Sequence, residues 1–180
     1  MNFNKKNKIM KKIIITATLL TIGLTGAFAQ KYAFVDSDYI LNNIPSYKAA
    51  QDQLNKLSDQ YHSEVKAMYD DIDKMYKDYQ TEKPLLTDEV KAKREQAIVD
   101  KENAAKKLQN DYFGSDGLLY KKREELVKPI QDEVYNAVKE IANESGYAVI
   151  FDTASGPTML YTNPRYDISD EVLKRLGYKN

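Results

Sequence analysis

The 180-residue sequence has no cysteine, no tryptophan, one histidine, and few glycines and prolines. Without cysteine the protein has no disulfide and no thiolate nucleophile. A single histidine also excludes metal sites built from histidine and cysteine. That residue, His62, falls beside the apolar stripe of a predicted helix, and we expect it to be a solvated surface residue. Stability must therefore come from packing within the chain or from association between chains.

Recognisable catalytic motifs are missing as well. Residues 114–117 hold two glycines but lack the Lys-Ser/Thr pair and the spacing of a phosphate-binding loop. The carboxylates Asp70, Asp71 and Asp73 lie among lysines, which favours a solvated, ion-paired helix face over a reactive cluster. An enzyme would have to use carboxylates, serine or tyrosine, and the sequence shows no base to activate them. We expect no catalytic residue, no metal and no cofactor.

Long apolar runs are confined to the N-terminus. Five lysines precede an apolar run over residues 13–28, and the segment closes with Ala27-Phe28-Ala29. A membrane anchor is the alternative, but the run is shorter than the roughly 20 residues that a bilayer span needs. We therefore expect a cleavable signal peptide over residues 1–29 and export of the rest. Translation could start at Met1 or at Met10.

Cleavage would change the charge balance of the chain. Residues 1–29 contain five lysines and no acid, so 22 basic and 27 acidic side chains remain, a net charge of −5. Nucleic acid and anionic lipid both need clustered Lys and Arg, so an acidic chain argues against either as the main partner. Basic residues remain scattered along it, for instance Lys91, Lys93 and Arg94.

The sequence does contain a long helical period. From Tyr47 onward, apolar residues recur at steps of three or four, which is typical of a coiled-coil stripe. The stripe consists of Ala50, Leu54, Leu57, Tyr61, Val65, Met68, Ile72, Met75 and Tyr79. Two consecutive steps of four around Tyr61 form a stutter that locally unwinds a supercoil. A helix over residues 46–83 would be about 55 Å long, too long to be buried in a small core.

A second helical segment follows after a short connection. Pro84 stops the first helix, and Thr87 is placed to cap the next one. The return stripe consists of Val90, Ala97, Lys101, Ala105, Leu108, Tyr112, Leu119, Leu126, Ile130, Val134, Val138 and Ile141. Gly146 is placed as its C-cap. Because the connection is so short, we expect the two helices to form an antiparallel hairpin.

Two features disturb the second helix. Gly114 and Gly117 each weaken it by about 1 kcal/mol relative to alanine. We favour a tolerated kink within a continuous helix over a functional hinge, although both interpretations remain open. Pro129 adds a second possible bend.

Short β-type segments flank the hairpin. Residues 32–35, 147–151 and 159–161 are rich in β-branched and aromatic side chains, and residues 153–157 form a predicted turn. Asp36-Ser37-Asp38 resembles a helix-capping turn, and a short terminal helix points Leu173 and Leu176 inward before Gly177. Three short strands leave exposed edges and a small apolar face. We therefore expect several chains to pool their strands in a homo-oligomer.

Aromatic residues suggest two contact surfaces. The chain has 14 tyrosines, and methionine and tyrosine suit surfaces that adapt to varied partners. The candidate partner-binding residues on the arm are Met68, Tyr69, Met75, Tyr76 and Tyr79; plain packing between the helices is the alternative for them. The candidate oligomerisation residues are Tyr32, Phe34, Val149, Phe151 and Leu160.

The order of these segments resembles the Skp (OmpH) family of periplasmic chaperones. The resemblance covers nearly the whole exported chain, and it is most evident in residues 31–36, 138–152 and 167–174. It implies an α+β fold: a trimer whose small β body is shared between subunits and carries long helical hairpins around a cavity. On this view residues 30–43 and 144–180 form the oligomerisation body, and residues 44–143 form the arm.

The resemblance implies an ATP-independent holdase that binds unfolded outer-membrane proteins in the periplasm, with no catalytic residues. Members that bind lipopolysaccharide have basic arms, whereas this exported chain is acidic, so a lipopolysaccharide site is not expected here. A structural coiled-coil spacer that binds no client is the alternative function. We expect no nucleic-acid partner.

Overall fold

A computed structural model describes residues 30–154, 156 and 159–178. The predicted signal peptide lies outside this range, as does part of the predicted turn at 153–157. The described elements follow in chain order: β1 (Lys31–Val35), α1 (Ser37–Asn42), α2 (Pro45–Glu82), a 3-10 turn (Lys83–Leu85), α3 (Asp88–Phe113), α4 (Leu118–Ser145), β2 (Tyr147–Asp152), a second 3-10 turn (Pro164–Tyr166) and α5 (Ser169–Arg175). Over these residues no helix has the length and apolar character that a membrane span needs.

The first arm of the hairpin is the 38-residue helix α2. Pro45 occupies its first turn, where the missing amide costs nothing, and the helix ends just before Pro84 as predicted. Every position of the predicted stripe from Ala50 to Tyr79 is buried or half-buried. The predicted helix and its apolar face are therefore confirmed to within one residue.

The returning half of the hairpin consists of two helices rather than one. Thr87 caps α3 as predicted, its hydroxyl accepting from the Val90 amide at 3.4 Å. The helix then ends at Phe113, and α4 begins only at Leu118, so the prediction of a continuous kinked helix is wrong. Gly114 turns to an extended backbone (ψ 168°) after its amide donates to the Asn110 carbonyl at 2.8 Å.

Glycine is required on both sides of this interruption. A Cβ added at Gly114 would lie 2.5 Å from the Asn110 carbonyl oxygen, and one at Gly117 would lie 2.7 Å from the Tyr112 carbonyl oxygen. Backbone atoms cannot move aside as a flexible side chain does. The break therefore depends on these two residues, and we call residues 114–117 the arm break. Pro129, by contrast, lies inside α4, which runs without interruption.

The seam of the second arm also differs from the predicted stripe. Val90 and Ala97 are exposed, and Ile98, which the predicted stripe omitted, is buried. Ala105 is buried as predicted. Ile98, Ala105 and Tyr112 are seven residues apart, so the seam follows a heptad shifted by one residue from Ala97. Along α4, Ile130, Val134 and Ile141 are buried as predicted, together with Val127 and Ala137, which the predicted stripe omitted.

The body holds a two-stranded parallel sheet. β1 pairs with β2 so that Tyr32 lies opposite Val149 and Phe34 opposite Phe151. Gly146 makes the turn from α4 into β2 with a left-handed backbone (φ 70°), the C-cap expected from the sequence. The predicted third strand is wrong: residues 159–161 are described but form no strand. Instead, the edge of β1 that faces away from β2 contacts the segment just before α5, where the Ile168 amide donates to the Phe34 carbonyl at 2.9 Å.

One apolar cluster joins the body to the base of the arm. It consists of Ala33, Val35, Ile40, Leu41, Ile44, Ala50, Leu54, Val127, Ile130, Val134, Ala137, Ile141, Ile168, Val172 and Leu173. Asp36 caps α1 by accepting from the Tyr39 amide at 2.8 Å, as the capping-turn prediction required. Leu173 is buried and Leu176 half-buried, which confirms the inward face of the terminal helix. Arg175 ties α5 to α4 through both oxygens of Glu144.

Candidate functional surfaces

An aromatic cluster lies where the arm break meets α2. The rings of Tyr61 and Tyr112 stack with centroids 3.9 Å apart and planes 7° from parallel. The Tyr112 hydroxyl donates to Glu64, and this hydrogen bond raises the pKa of Tyr112 and lowers that of the carboxyl group. On the adjacent side, His62 stacks on Phe113 at 4.3 Å. Stacked rings therefore join the stutter of α2, around Tyr61, to the residues of α3 that lead into the arm break.

Further toward the tip, two predicted binding residues lie across the seam. The Tyr69 hydroxyl donates to the Gln109 side chain at 3.4 Å, and the Tyr76 hydroxyl donates to Glu102 at 3.0 Å. The hydrogen bond to Glu102 raises the pKa of Tyr76. Both rings nevertheless stay 39–42 % exposed. Their polar ends are fixed to the opposite helix while the ring surfaces remain open to solvent.

These residues share one side of the arm. His62, Tyr69 and Tyr76 are seven residues apart on α2, which places them on one helix face. His62 is exposed, as the sequence predicted. Phe113 of α3 lies beside these three residues, because its ring stacks on the ring of His62. We call these four residues the aromatic ledge. Phe113 was not predicted from the sequence, because its place depends on the stacking with His62 across the two helices.

The other three predicted arm residues lie deeper. Met68 and Met75 are half-buried at the seam, and Tyr79 is only 4 % exposed. The Tyr79 hydroxyl donates to Glu95, which raises its pKa to about 12. The Lys83 ammonium lies 5.2 Å from the centre of the same ring. Tyr79 therefore packs between the helices and is not on the surface in this conformation.

Charged side chains on the arm are largely paired with one another. Asp70 binds Lys66, Asp73 binds Lys77, and Asp71 contacts Lys101 of α3 at 3.4 Å. These pairs confirm the ion-paired face predicted for the three aspartates. Such exposed pairs contribute little to stability, but they leave the arm surface nearly neutral.

The tip is neutralised in the same way. Lys91 pairs with Asp88 at 3.1 Å and Arg94 with Glu82 at 3.0 Å. Lys93 pairs with Glu89 at 2.6 Å. The three basic residues that the sequence placed near the tip are therefore not a free cationic patch. Leu85 projects beyond them and is almost fully exposed.

The sheet has an exposed apolar face. Tyr32, Phe34, Val149 and Phe151 lie on one side of it, because Ala33 and Val35 on the alternate positions are buried. The rings of Phe34 and Phe151 stack at 5.7 Å, and Tyr166 packs against Tyr32 at 5.4 Å. Four of the five predicted oligomerisation residues thus share one surface, which we call the sheet face. The fifth, Leu160, is fully exposed on its own.

A groove of about 390 Å³ lies on the opposite side of the sheet. Ile150 and Asp152 of β2, Val134 and Tyr135 of α4, and Ile40 of α1 contribute to its walls. Its lining is mostly apolar, and we call it the body groove. Within the described residues, no group of three or more His, Asp or Glu side chains is arranged to hold a metal ion.

Comparisons with known proteins agree with this architecture. The family model described as "Outer membrane protein (OmpH-like)" matches residues 31–176. An uncharacterised protein of Aquifex aeolicus (strain VF5) is 28% identical over 168 residues, which cover 93% of this chain and 97% of that protein. A crystal structure from Caulobacter crescentus CB15, described as a candidate OmpH-like outer membrane chaperone, superposes with a TM-score of 0.63. It is 15% identical, and the match covers 84% of this chain and 86% of that one.

Proposed function

The chain belongs to the OmpH-like family of outer membrane proteins, and on this basis we propose that it is an ATP-independent holdase that binds unfolded outer-membrane proteins in the periplasm. The aromatic ledge supports this proposal most directly. It presents aromatic rings along one side of a long arm, and the hydroxyls of Tyr69 and Tyr76 are already bound to the opposite helix. Such rings can contact apolar segments of many sequences without leaving buried polar groups unpaired.

The neutral arm surface fits the same role. Because its lysines and acids pair with each other, the arm neither attracts nor repels a client strongly by charge. Contacts with a client then depend on Tyr69 and Tyr76, with Met68 and Met75 at the edge of the seam. Tyr79 is not part of the proposed contact surface unless the helices separate. The paired tip also offers no free cationic cluster for lipopolysaccharide.

We further propose that the working unit is a homotrimer with a shared β body, as the family resemblance implies. The sheet face supports this, since an exported protein that exposes Tyr32, Val149 and Phe151 together has reason to bury them. Several arms on one body would place several ledges around one client. Weak contacts at each ledge would then add through effective concentration.

Light scattering of an outer-membrane β-barrel protein diluted from denaturant tests the proposal. The exported chain at stoichiometric amounts should suppress aggregation, and unchanged scattering would refute holdase activity. Replacing both Tyr69 and Tyr76 by Ser should weaken client binding at least tenfold, since each loses a partly buried ring. Tyr178→Ser, at a tyrosine of similar exposure in the body, is the matched control. If the double variant protects as well as the parent, the arm acts as a spacer.

A further inference from the structure

A second groove, of about 440 Å³, lies beside the arm break. Its walls come from α2, from the last residue of α3 and from the first turns of α4. Gly114 lines it, whereas Ser115 and Asp116, between the two glycines, do not. The groove therefore lies where the returning half of the hairpin is interrupted, and we call it the break groove.

The break groove has an apolar part and a cationic part. Leu54 of α2, Phe113 of α3 and Leu119 of α4 line the apolar part. Arg123 of α4 supplies the charge, and Tyr120 lies three residues before it, on the same face of the helix. None of the described residues that line the groove is acidic. A ligand that carries an apolar side chain close to a carboxylate would find a partner for both groups here.

Arg123 differs from the other arginine of the arm. Arg94 pairs with Glu82 at 3.0 Å, whereas no carboxylate in the described part of the chain lies within ion-pair distance of Arg123. Its neighbour Lys122 pairs with Glu125 at 2.8 Å. The Arg123 side chain is exposed, and a guanidinium group binds a carboxylate through two parallel hydrogen bonds. It is therefore open to a carboxylate from another molecule.

The break groove continues the aromatic ledge. Asn55, which lines the groove, lies seven residues before His62 and so shares the helix face of His62, Tyr69 and Tyr76. Phe113 belongs to both surfaces, because it stacks on His62 and also lines the groove. From Tyr76 to Asn55 the helix rises by about 32 Å, the length of roughly ten residues of an extended chain. A client segment that lies along the ledge therefore reaches the groove.

We propose that the break groove binds an acidic side chain of the client, with Arg123 holding the carboxylate and the apolar part taking a neighbouring apolar or aromatic side chain. This inference rests on the proposed function and adds a charge-selective anchor to the ledge. The acid is an internal Asp or Glu, since an unfolded chain offers many of these and only one chain end. In an extended segment, the side chain two residues from the acid lies on the same side, about 7 Å away, and can enter the apolar part. The arm then prefers apolar segments that carry an acid to segments that are apolar throughout.

Fluorescence anisotropy with two labelled peptides tests the proposal. Both peptides are capped at each end and alternate apolar or aromatic residues with serine, and one carries a central Glu where the other carries Gln. Residues 30–180 should bind the Glu peptide about fivefold more tightly, as expected for a charge-assisted hydrogen bond at a partly open site. Because residues 30–180 are net acidic, long-range electrostatics disfavours the Glu peptide and cannot produce this preference.

Three variants locate the preference. Arg123→Gln should bind the two peptides alike and keep the helix content of the parent in circular dichroism, because Arg123 is exposed and unpaired. Arg94→Gln removes the same charge from the tip and, as the matched control, should keep the preference. Tyr120→Ala should weaken both peptides alike, since its ring contact does not depend on charge. A preference that survives Arg123→Gln, or that both arginine variants lose equally, would overturn the proposal.

A third peptide distinguishes a chain end from a side chain. It carries Gln and a free C-terminal carboxylate, and tighter binding of this peptide with no preference for Glu would overturn the proposal. The holdase activity is measured separately, by aggregation of the β-barrel protein. If residues 30–180 prefer Glu through Arg123 but do not suppress aggregation, the break groove stands and the proposed function fails. Suppression of aggregation without a preference for Glu would overturn the break groove alone.

Discussion

Replacing Ile72 by Ala should open the outer half of the arm and leave the body intact. Ile72 is buried in the seam between α2 and α3. The other buried residues of this seam are Val65, Tyr79, Ile98 and Ala105, and none of the five belongs to the cluster that holds the body and the arm base. The arm break separates the two. A cavity at Ile72 therefore weakens a thin seam that has no other core to support it.

The expected loss of stability follows from the size of the cavity. Removing the buried part of an isoleucine costs about 2–5 kcal/mol. Charged pairs across the outer arm are exposed and compensate little. A loss of roughly 3 kcal/mol raises the open population of this segment by about two orders of magnitude. The effect should be local, because regions with few buried contacts open separately from the main core.

Hydrogen exchange followed by mass spectrometry measures this directly. Peptides from residues 61–113 should exchange about a hundredfold faster in Ile72→Ala, while peptides from residues 125–145 keep their protection. Ile141→Ala, which removes a fully buried residue of the cluster that joins the body to the arm base, is the matched control and should accelerate exchange in residues 125–145. Equal loss of protection in residues 61–113 and 125–145 after Ile72→Ala would refute the idea of two separately stable parts.

Two further changes test the arm. Alanine at both Gly114 and Gly117 cannot keep the arm break, because each added Cβ would collide with a backbone oxygen. Tyr112 and Leu119 are seven residues apart, so a continuous helix would keep both on the seam. Circular dichroism should therefore show added helix, and an unchanged spectrum would contradict the steric argument. The raised pKa of Tyr79 means that its contribution to stability is present below pH 10 and is lost as the pH rises toward about 12. Tyrosinate absorbance should show a late-titrating group that disappears in Tyr79→Phe, and a titration identical in the two proteins would contradict the hydrogen bond to Glu95.

The helical hairpin could be predicted because the apolar residues of α2 are large and evenly spaced. Its seam from Ala50 to Tyr79 needed only the helical period. The seam of α3 was harder to place, since this helix is rich in alanine and lysine. Ala97 fitted the period as well as Ile98 did, and only the position of the facing helix decides which of these two residues is buried.

The other differences between the prediction and the structure depend on contacts between distant parts of the chain or on the positions of single atoms. The glycine pair was visible in the sequence, but a break rather than a kink follows from backbone oxygens within 3 Å of each missing Cβ. Residues 159–161 have the composition of a strand, yet strand formation needs a partner edge that local sequence does not reveal. The aromatic ledge was predicted in part: Tyr69 and Tyr76 were identified from spacing, whereas Phe113 depends on how the arm break turns it toward His62.

Sedimentation velocity of a mixture of residues 30–180 with a fluorescently labelled, unfolded outer-membrane β-barrel protein tests the central claim most directly. The account predicts that the label sediments with the oligomer as one soluble complex, and that this complex is lost when Tyr69 and Tyr76 are both replaced by Ser. A label that pellets as aggregate while the oligomer sediments alone would contradict it.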